Sequence, residues 1–151
     1  IGANPPYLGF IQRPLTVPRQ TYDNIKRSGF FTINQVNNSF FKKAHQTSAK
    51  YEKGVSEFEA CELTEQIVAD FPVPFVLESV IKIGLIFEEE HLIKCNQNIL
   101  VIGKIQKVII SEDLIEEDGN ILLEKANTTG VSGLNTYFEI KQIGKMKFAR
   151  P

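Results

Sequence analysis

Hydrophobic and polar positions alternate most clearly between Val73 and Phe87. Val73, Phe75, Leu77, Ile81, Ile83, Leu85 and Phe87 recur at period two, with Ser79 the one break. The run reads either as one bent barrel strand or as two strands broken near Ser79. A second long strand runs from Asn98 to Ile110, apolar on both sides at Ile99 to Ile102 and polar at Lys104, Gln106 and Lys107. Gly103 inside it marks a bulge or a bend. Shorter strands are expected at Tyr7 to Gln12, opened by the Pro5-Pro6 pair, at Phe30 to Gln35, and more weakly at Tyr137 to Ile143.

Two helices fit between the strands. One spans Tyr22 to Ser28, with Thr21 as its N-cap and Gly29 as its stop. The other is capped by Ser39 and runs from Phe40 to about Tyr51. Thr64 to Phe71 reads as one helical turn or a loop, and Ile121 to Leu123 as a strand extension or a helix start. Glu88-Glu89-Glu90 reads as an acidic, solvated loop. Asp118-Gly119 is a turn signal. Asn127 to Asn135 reads as a flexible loop with two glycines, and Ile1 to Asn4 as the end of a strand. The fold class is mainly β with short helices, in a single domain covering residues 1–151.

Composition adds constraints. The chain has 151 residues, of which 42% are hydrophobic, enough for one real core and against disorder. Its net charge of −1 offers no footprint for nucleic acid or an anionic membrane. No apolar run is long enough to span a bilayer, and the start IGANPP has no basic or apolar leader region. Cys61 and Cys95 stand far apart without metal-ligand spacing, which fits a reducing cytoplasm.

Candidate chemistry concentrates between Asn4 and Ile33. Arg13, Arg19 and Thr21 precede or open the first helix, where free N–H groups and the helix dipole suit a phosphate. Asn24 lies in the same helix, and Lys26 about one turn further on is a weaker candidate. The competing reading is a capped surface helix with two solvated arginines. His45 in the second helix is, on residue type alone, structural or solvated. His91 beside three glutamates has no second spaced histidine, so no metal site is expected. Motifs for dinucleotide, P-loop, zinc-protease, C-x-x-C and nucleophile-elbow chemistry are all absent.

An ordered set of short strings carries a resemblance. It comprises NPPYLGFIQRP, then Thr21, Asn24 and Ile25, then Gly29 to Asn34, then Ser56 to Glu59, then Pro74 with Glu78. Asn98 to Gly103, Asp118-Gly119, Gly133, Tyr137 and Ala149-Arg150-Pro151 follow. Together they resemble the flavin reductase-like family of FMN-binding split β-barrels, and the resemblance covers nearly the whole chain. It implies FMN as cofactor, hydride transfer from NAD(P)H to flavin, and a homodimer with a flavin near its interface. It implies Ala3, Asn4 and Pro5 as a backbone wall against the ring. Arg13 and Arg19 would be phosphate clamps, Thr21 and Asn24 would assist at the helix start, and His45 would lie near the ring. The resemblance also implies several further strands ahead of Asn4, so the barrel is expected to be N-terminally incomplete, with open edges. Two other roles fit the same resemblance: an electron carrier with tightly held FMN, and a flavin-binding dimer module without turnover.

Overall fold

The computed structural model describes residues 1–150. Its centre is a five-stranded antiparallel sheet built on two long strands, β6 (Ile81–Ile93) and β7 (Asn98–Ile110), joined by a short turn. Strand β1 (Gly2–Ala3) and strand β2 (Pro6–Gln12) extend the sheet beside β7, and β3 (Phe30–Asn34) extends it beside β6. The order is β1-β2-β7-β6-β3. A β4–β5 hairpin (Glu65–Val68, Phe71–Val76) and a β8–β9 hairpin (Thr129–Ser132, Thr136–Glu139) complete the strands. The helices are α1 (Gln20–Ser28), α2 (Phe41–Gln46) and α3 (Glu57–Ala60), with a 3-10 turn at Glu112–Leu114. The mainly β class and the split-barrel architecture expected from the sequence are those observed.

The period-two pattern sorts side chains onto two faces. Phe31, Leu85 and Val101 point to one face, where α1 lays Tyr22 and Ile25 across them. This follows from the spacing of Tyr22 and Ile25, three apart on one side of a helix. The other face is covered by the β4–β5 hairpin. Phe71 packs over Gly84, where an added Cβ would sit 2.7 Å from its ring, and Phe75 is fully buried. Thr32 Oγ1 donates to the Pro74 carbonyl at 3.0 Å, and the Val76 N–H donates to Asn34 Oδ1 at 2.9 Å. The hairpin is thus tied to β3 by side chains that take up its backbone groups.

The long alternating run is two strands, β5 and β6, and the break lies at Ser79. Its hydroxyl lies 2.9 Å from the Gln35 carbonyl and 2.8 Å from that of Ile81, so a buried polar residue turns the chain between sheets.

Several expectations need correction. Glu88 to Glu90 is not a loop but part of β6. An extra residue, Glu88, bulges between the Phe87–Gly103 and Glu89–Ile102 pairs and switches the facing of the strand. Glu90 therefore faces α1 and meets Tyr22. The bulge lies opposite Gly103, whose own role is close approach: a Cβ there would stand 2.5 Å from Phe31 Cζ. Thr64 to Phe71 contains β4, neither turn nor plain loop, because it pairs with β5. The stretch from Asn127 to Asn135 holds β8 and is ordered by pairing with β9. Helix α1 begins two residues earlier than expected. Arg19 occupies the N-cap position, and Thr21 is an exposed residue of the first turn with no capping bond. Ser39 does not cap α2; its N–H and hydroxyl engage Asn37 Oδ1 instead, and the helix stops at Gln46. Pro151 of the terminal motif lies outside the described residues.

Lys82 is an unusual occupant of the hairpin-covered face. It is 6% exposed, and its ammonium donates to Gln66 Oε1 at 2.6 Å. Burial lowers its pKa, with the charge of Glu78 opposing the change. The unfolded chain therefore binds this proton more tightly than the folded one, so the residue's contribution to stability rises as pH climbs toward the usual lysine range. Lys82→Met is expected to be at least as stable as the parent at pH 7 and to lose that rise. Thermal melts at pH 7 and about 9.5 check this. A drop of several degrees at pH 7 would mean that the bond to Gln66 outweighs the cost of burying the charge.

Among the described residues no helix is long and apolar enough to cross a membrane, and no group of three or more His, Cys, Asp or Glu is placed to hold a metal ion.

Candidate flavin and phosphate site

The expected site residues fall into two groups at opposite ends of the sheet. Ala3 ends β1, and Asn4 and Pro5 form the corner into β2, with a cis peptide bond between them. All three are exposed, leaving their backbone available to a flat ligand. The register of Tyr7 with Lys104 places this corner toward the Ile110 end of β7. His45 lies on α2, beyond the point where Asn34 pairs with Lys82, and so toward the same end.

Arg13 and Arg19 sit at the other end. Gln12 pairs with Ile99 at the close of β2, and its buried side chain donates to the Arg13 carbonyl at 2.9 Å, fixing the exit of the strand. The loop then returns to start α1 at Gln20, with Thr21 in the first turn and Asn24 one turn on. Eight residue steps at about 3.4 Å each put roughly 27 Å between Pro5 and Arg13, which flank this strand. That exceeds the span of one FMN molecule, so one flavin on one chain does not touch both groups.

The α1 end carries a defined electrostatic arrangement. Tyr22 is buried and its hydroxyl bridges both carboxylate oxygens of Glu90, at 3.0 and 2.9 Å. Burial first, then the Glu90 carboxylate, raise the pKa of Tyr22. Lys26 stands 3.4 Å from Glu90 and 4.4 Å from the centre of the Phe87 ring. Lys26, a weaker phosphate candidate from sequence, is thus engaged by a carboxylate and a ring. Asn24 Oδ1 accepts from Arg27 Nη2 at 2.8 Å, so its side chain is also partly engaged. Arg19 differs: its Nε is buried without a hydrogen-bond partner among the described residues. An orphaned guanidinium nitrogen next to the free N–H groups of a helix start is suited to an anion.

At the opposite end, His45 Nδ1 lies 2.8 Å from the Tyr137 hydroxyl, and the two rings meet edge to face at 5.6 Å between centres. Phe41 packs against Tyr137 at 5.2 Å. The meeting of β9 and α2 through this tyrosine joins residues ninety-two apart in the chain, beyond the reach of local pattern. Nearby, residues from Asn37 to Ser39 and from Ser111 to Asn127 line a cavity of about 680 Å³ over Val80 and Leu114, with Glu78, Asp113 and Lys125 at its polar wall. Its position between two segments that are distant in sequence hid it from the sequence reading.

The sequence pattern of the flavin reductase like domain matches residues 1–128, and the chain belongs to that family. A protein of Shewanella frigidimarina NCIMB 400, assigned as a flavin reductase with a split barrel domain, shares 41% identity. The two structures superpose with a TM-score of 0.94 over 99% of this chain and 74% of that one. Component B of nitrilotriacetate monooxygenase from Bacillus cereus matches in fold at 24% identity, with a TM-score of 0.82, covering 97% of this chain and 74% of that one. Flavoredoxin of Desulfovibrio vulgaris (Miyazaki F) does so at 20% identity and a TM-score of 0.81, covering 98% and 77%. No curated protein matches the sequence significantly.

Proposed function

We propose that this chain binds FMN and works as a flavin reductase, taking hydride from NAD(P)H. Family membership over residues 1–128, together with the 41% identical split-barrel neighbour, is the observation that carries the reading. The residues fit the cofactor in two places. Ala3, Asn4 and Pro5 offer exposed backbone at a corner, suited to lie against a planar ring. Arg19, with its orphaned Nε, and Arg13 offer charge-assisted donors for a phosphate, with Thr21 exposed beside them in the first turn and Asn24 a turn further on. Because β2 separates the two groups, they serve one flavin only if two copies share it. The reading therefore includes a homodimer in which one copy supplies the ring wall and the other the phosphate arm. His45, steadied by Tyr137, belongs to the ring end.

When bound, the flavin supplies the hydride acceptor; the protein binds, orients and tunes it. That division of labour agrees with a chain lacking an acid–base constellation. The free thiols of Cys61 and Cys95 agree with work in a reducing cytoplasm.

The test is an absorbance spectrum of the purified protein from 300 to 550 nm, with FMN and then NADH or NADPH added. Bound flavin that bleaches with a nicotinamide nucleotide is the expected result. Bound flavin that stays oxidised would make the chain an electron carrier served by another donor. Failure to hold flavin at all would remove the proposal.

A further inference from the structure

The stretch after β9 is fastened unlike the rest of the chain. Residues 140–150 have no regular structure, and among the described residues no backbone–backbone hydrogen bond ties 141–150 to the body. Their large apolar side chains do not anchor them either: Ile143 is 101% exposed, Met146 91% and Phe148 88%. A Cβ added at Gly144 would meet nothing within 4 Å. What remains is polar. The Gln142 N–H donates to Glu124 at 3.0 Å. Lys145 Nζ stands 2.8 Å from Glu116 and 2.6 Å from Asp118. The other cations of the segment, Lys141, Lys147 and Arg150, form no ion pair among the described residues.

The receiving carboxylates are set in place by their own turn. Leu114 is buried with Ile81 and Ala126, which fixes the segment to the body. The chain then folds back on itself: the Leu122 N–H donates to the Leu114 carbonyl at 2.9 Å, the Glu116 N–H donates to the Asn120 carbonyl at 2.9 Å, and Ile115 bridges Ile121. Gly119 takes the left-handed position of the turn, with φ 83°. Asn120 donates from Nδ2 to Glu116 at 2.6 Å and from its N–H to Asp118 at 3.1 Å, so the two acidic side chains are held side by side. Two like charges so placed repel, and a cation seated between them relieves the repulsion. Lys145 fills that place. Between this turn and the terminal segment lies a cavity of about 240 Å³, with Ile121, Leu123 and Glu124 on one side and Ile140, Gln142 and Lys145 on the other.

We propose that residues 140–150 are an ionically clasped strap: Lys145, seated between Glu116 and Asp118, holds the strap closed over this cavity, and loss of that contact opens it. Opening adds the apolar wall of Ile121, Leu123 and Ile140 to the exposed surface. The clasp is a surface contact, so screening by salt weakens it. The inference stands apart from the flavin reading, since it uses none of the flavin or phosphate candidates.

The experiment is backbone ¹⁵N relaxation on the full chain without added flavin, at about 0.05 M salt and again at about 1 M, where the screening length falls to about 3 Å. In the parent at low salt, residues 141–146 are expected to show order parameters near those of rigid backbone, about 0.85. In Lys145→Gln they should fall below about 0.6, with the released population raised on the order of two- to thirtyfold for two exposed ion pairs lost together. Salt at about 1 M should move the parent in the same direction. Lys145→Arg keeps the charge and should keep the order. Lys147→Gln removes the same charge from the same strap without touching the clasp, and should also keep it. Amide shifts of Leu85 and Val101 report whether each variant remains folded. A strap that is flexible in the parent at low salt would overturn the proposal. So would a strap that stays rigid in Lys145→Gln or at 1 M salt, since another contact would then hold it, or one that Lys147→Gln loosens equally. Because flavin is absent from these runs, failure of the strap leaves the flavin test untouched, and the reverse also holds.

Discussion

Replacing Leu85 by alanine is expected to lower the unfolding free energy by about 2–5 kcal/mol, a large share of the ~5–15 kcal/mol typical of a domain. Leu85 is fully buried at the centre of β6, against Phe31 of β3 and Ile25 of α1. Phe10, Phe87 and Ile105 close round the same cluster. Shortening the side chain loses its transfer free energy and leaves a cavity between helix and sheet that the long strands cannot collapse to fill. The midpoint of a urea transition reads the effect, with the slope unchanged if only stability has moved. A loss below about 1 kcal/mol would mean that α1 does not seal this face as described.

The second large effect concerns the anion site. Arg19→Ala is expected to weaken FMN binding by about 1.5–3 kcal/mol, roughly ten- to over a hundredfold. Arg13→Ala is expected to act in the same direction and, acting on the same phosphate, non-additively with it. Arg19→Lys keeps the charge but loses the fork, so it should recover only part of the affinity. The control is Arg27→Ala: it lies on α1 and contacts Asn24, yet sits in the last turn, away from the free N–H groups. Flavin titrations followed by fluorescence distinguish these outcomes. Equal affinity in the parent, Arg13→Ala and Arg19→Ala proteins would assign the phosphate elsewhere.

Much of the sheet was legible in the sequence because its rules are local. The alternation through Ile81, Ile83, Leu85 and Phe87 needs only the pleat, and the Asn98–Ile110 strand matched to the residue. Gly29 as the stop of α1 was also legible, since a left-handed position there favours glycine; its φ is 75°. What failed depended on partners distant in sequence. Three successive glutamates read as solvated until Tyr22, sixty-eight residues away, is seen to take up Glu90. Ser39 resembles a cap until Asn37 claims it. The Asn–Thr–Gly stretch looks like loop until β9 pairs with it. The candidate site suffered most. The distance between Asn4 and Arg13 along one strand was implicit in the sequence, but which end of the sheet held His45 required the pairing order.

The arrangement of β6 and β7 bears on how the chain acquires its shape. These strands meet across a turn of a few residues, so their pairing incurs little loop-closure entropy and can form early and locally. Strand β2 is different: it must find β7 after α1, β3, both small helices, β4, β5 and β6 have been made, since Gln12 pairs with Ile99. Docking of the amino-terminal strand onto the hairpin is expected to be a late step, and that strand bears both the ring corner and the entry to the arginine arm. The binding groups are therefore assembled by the most non-local contact in the sheet, whose pairing carries the largest loop-closure cost.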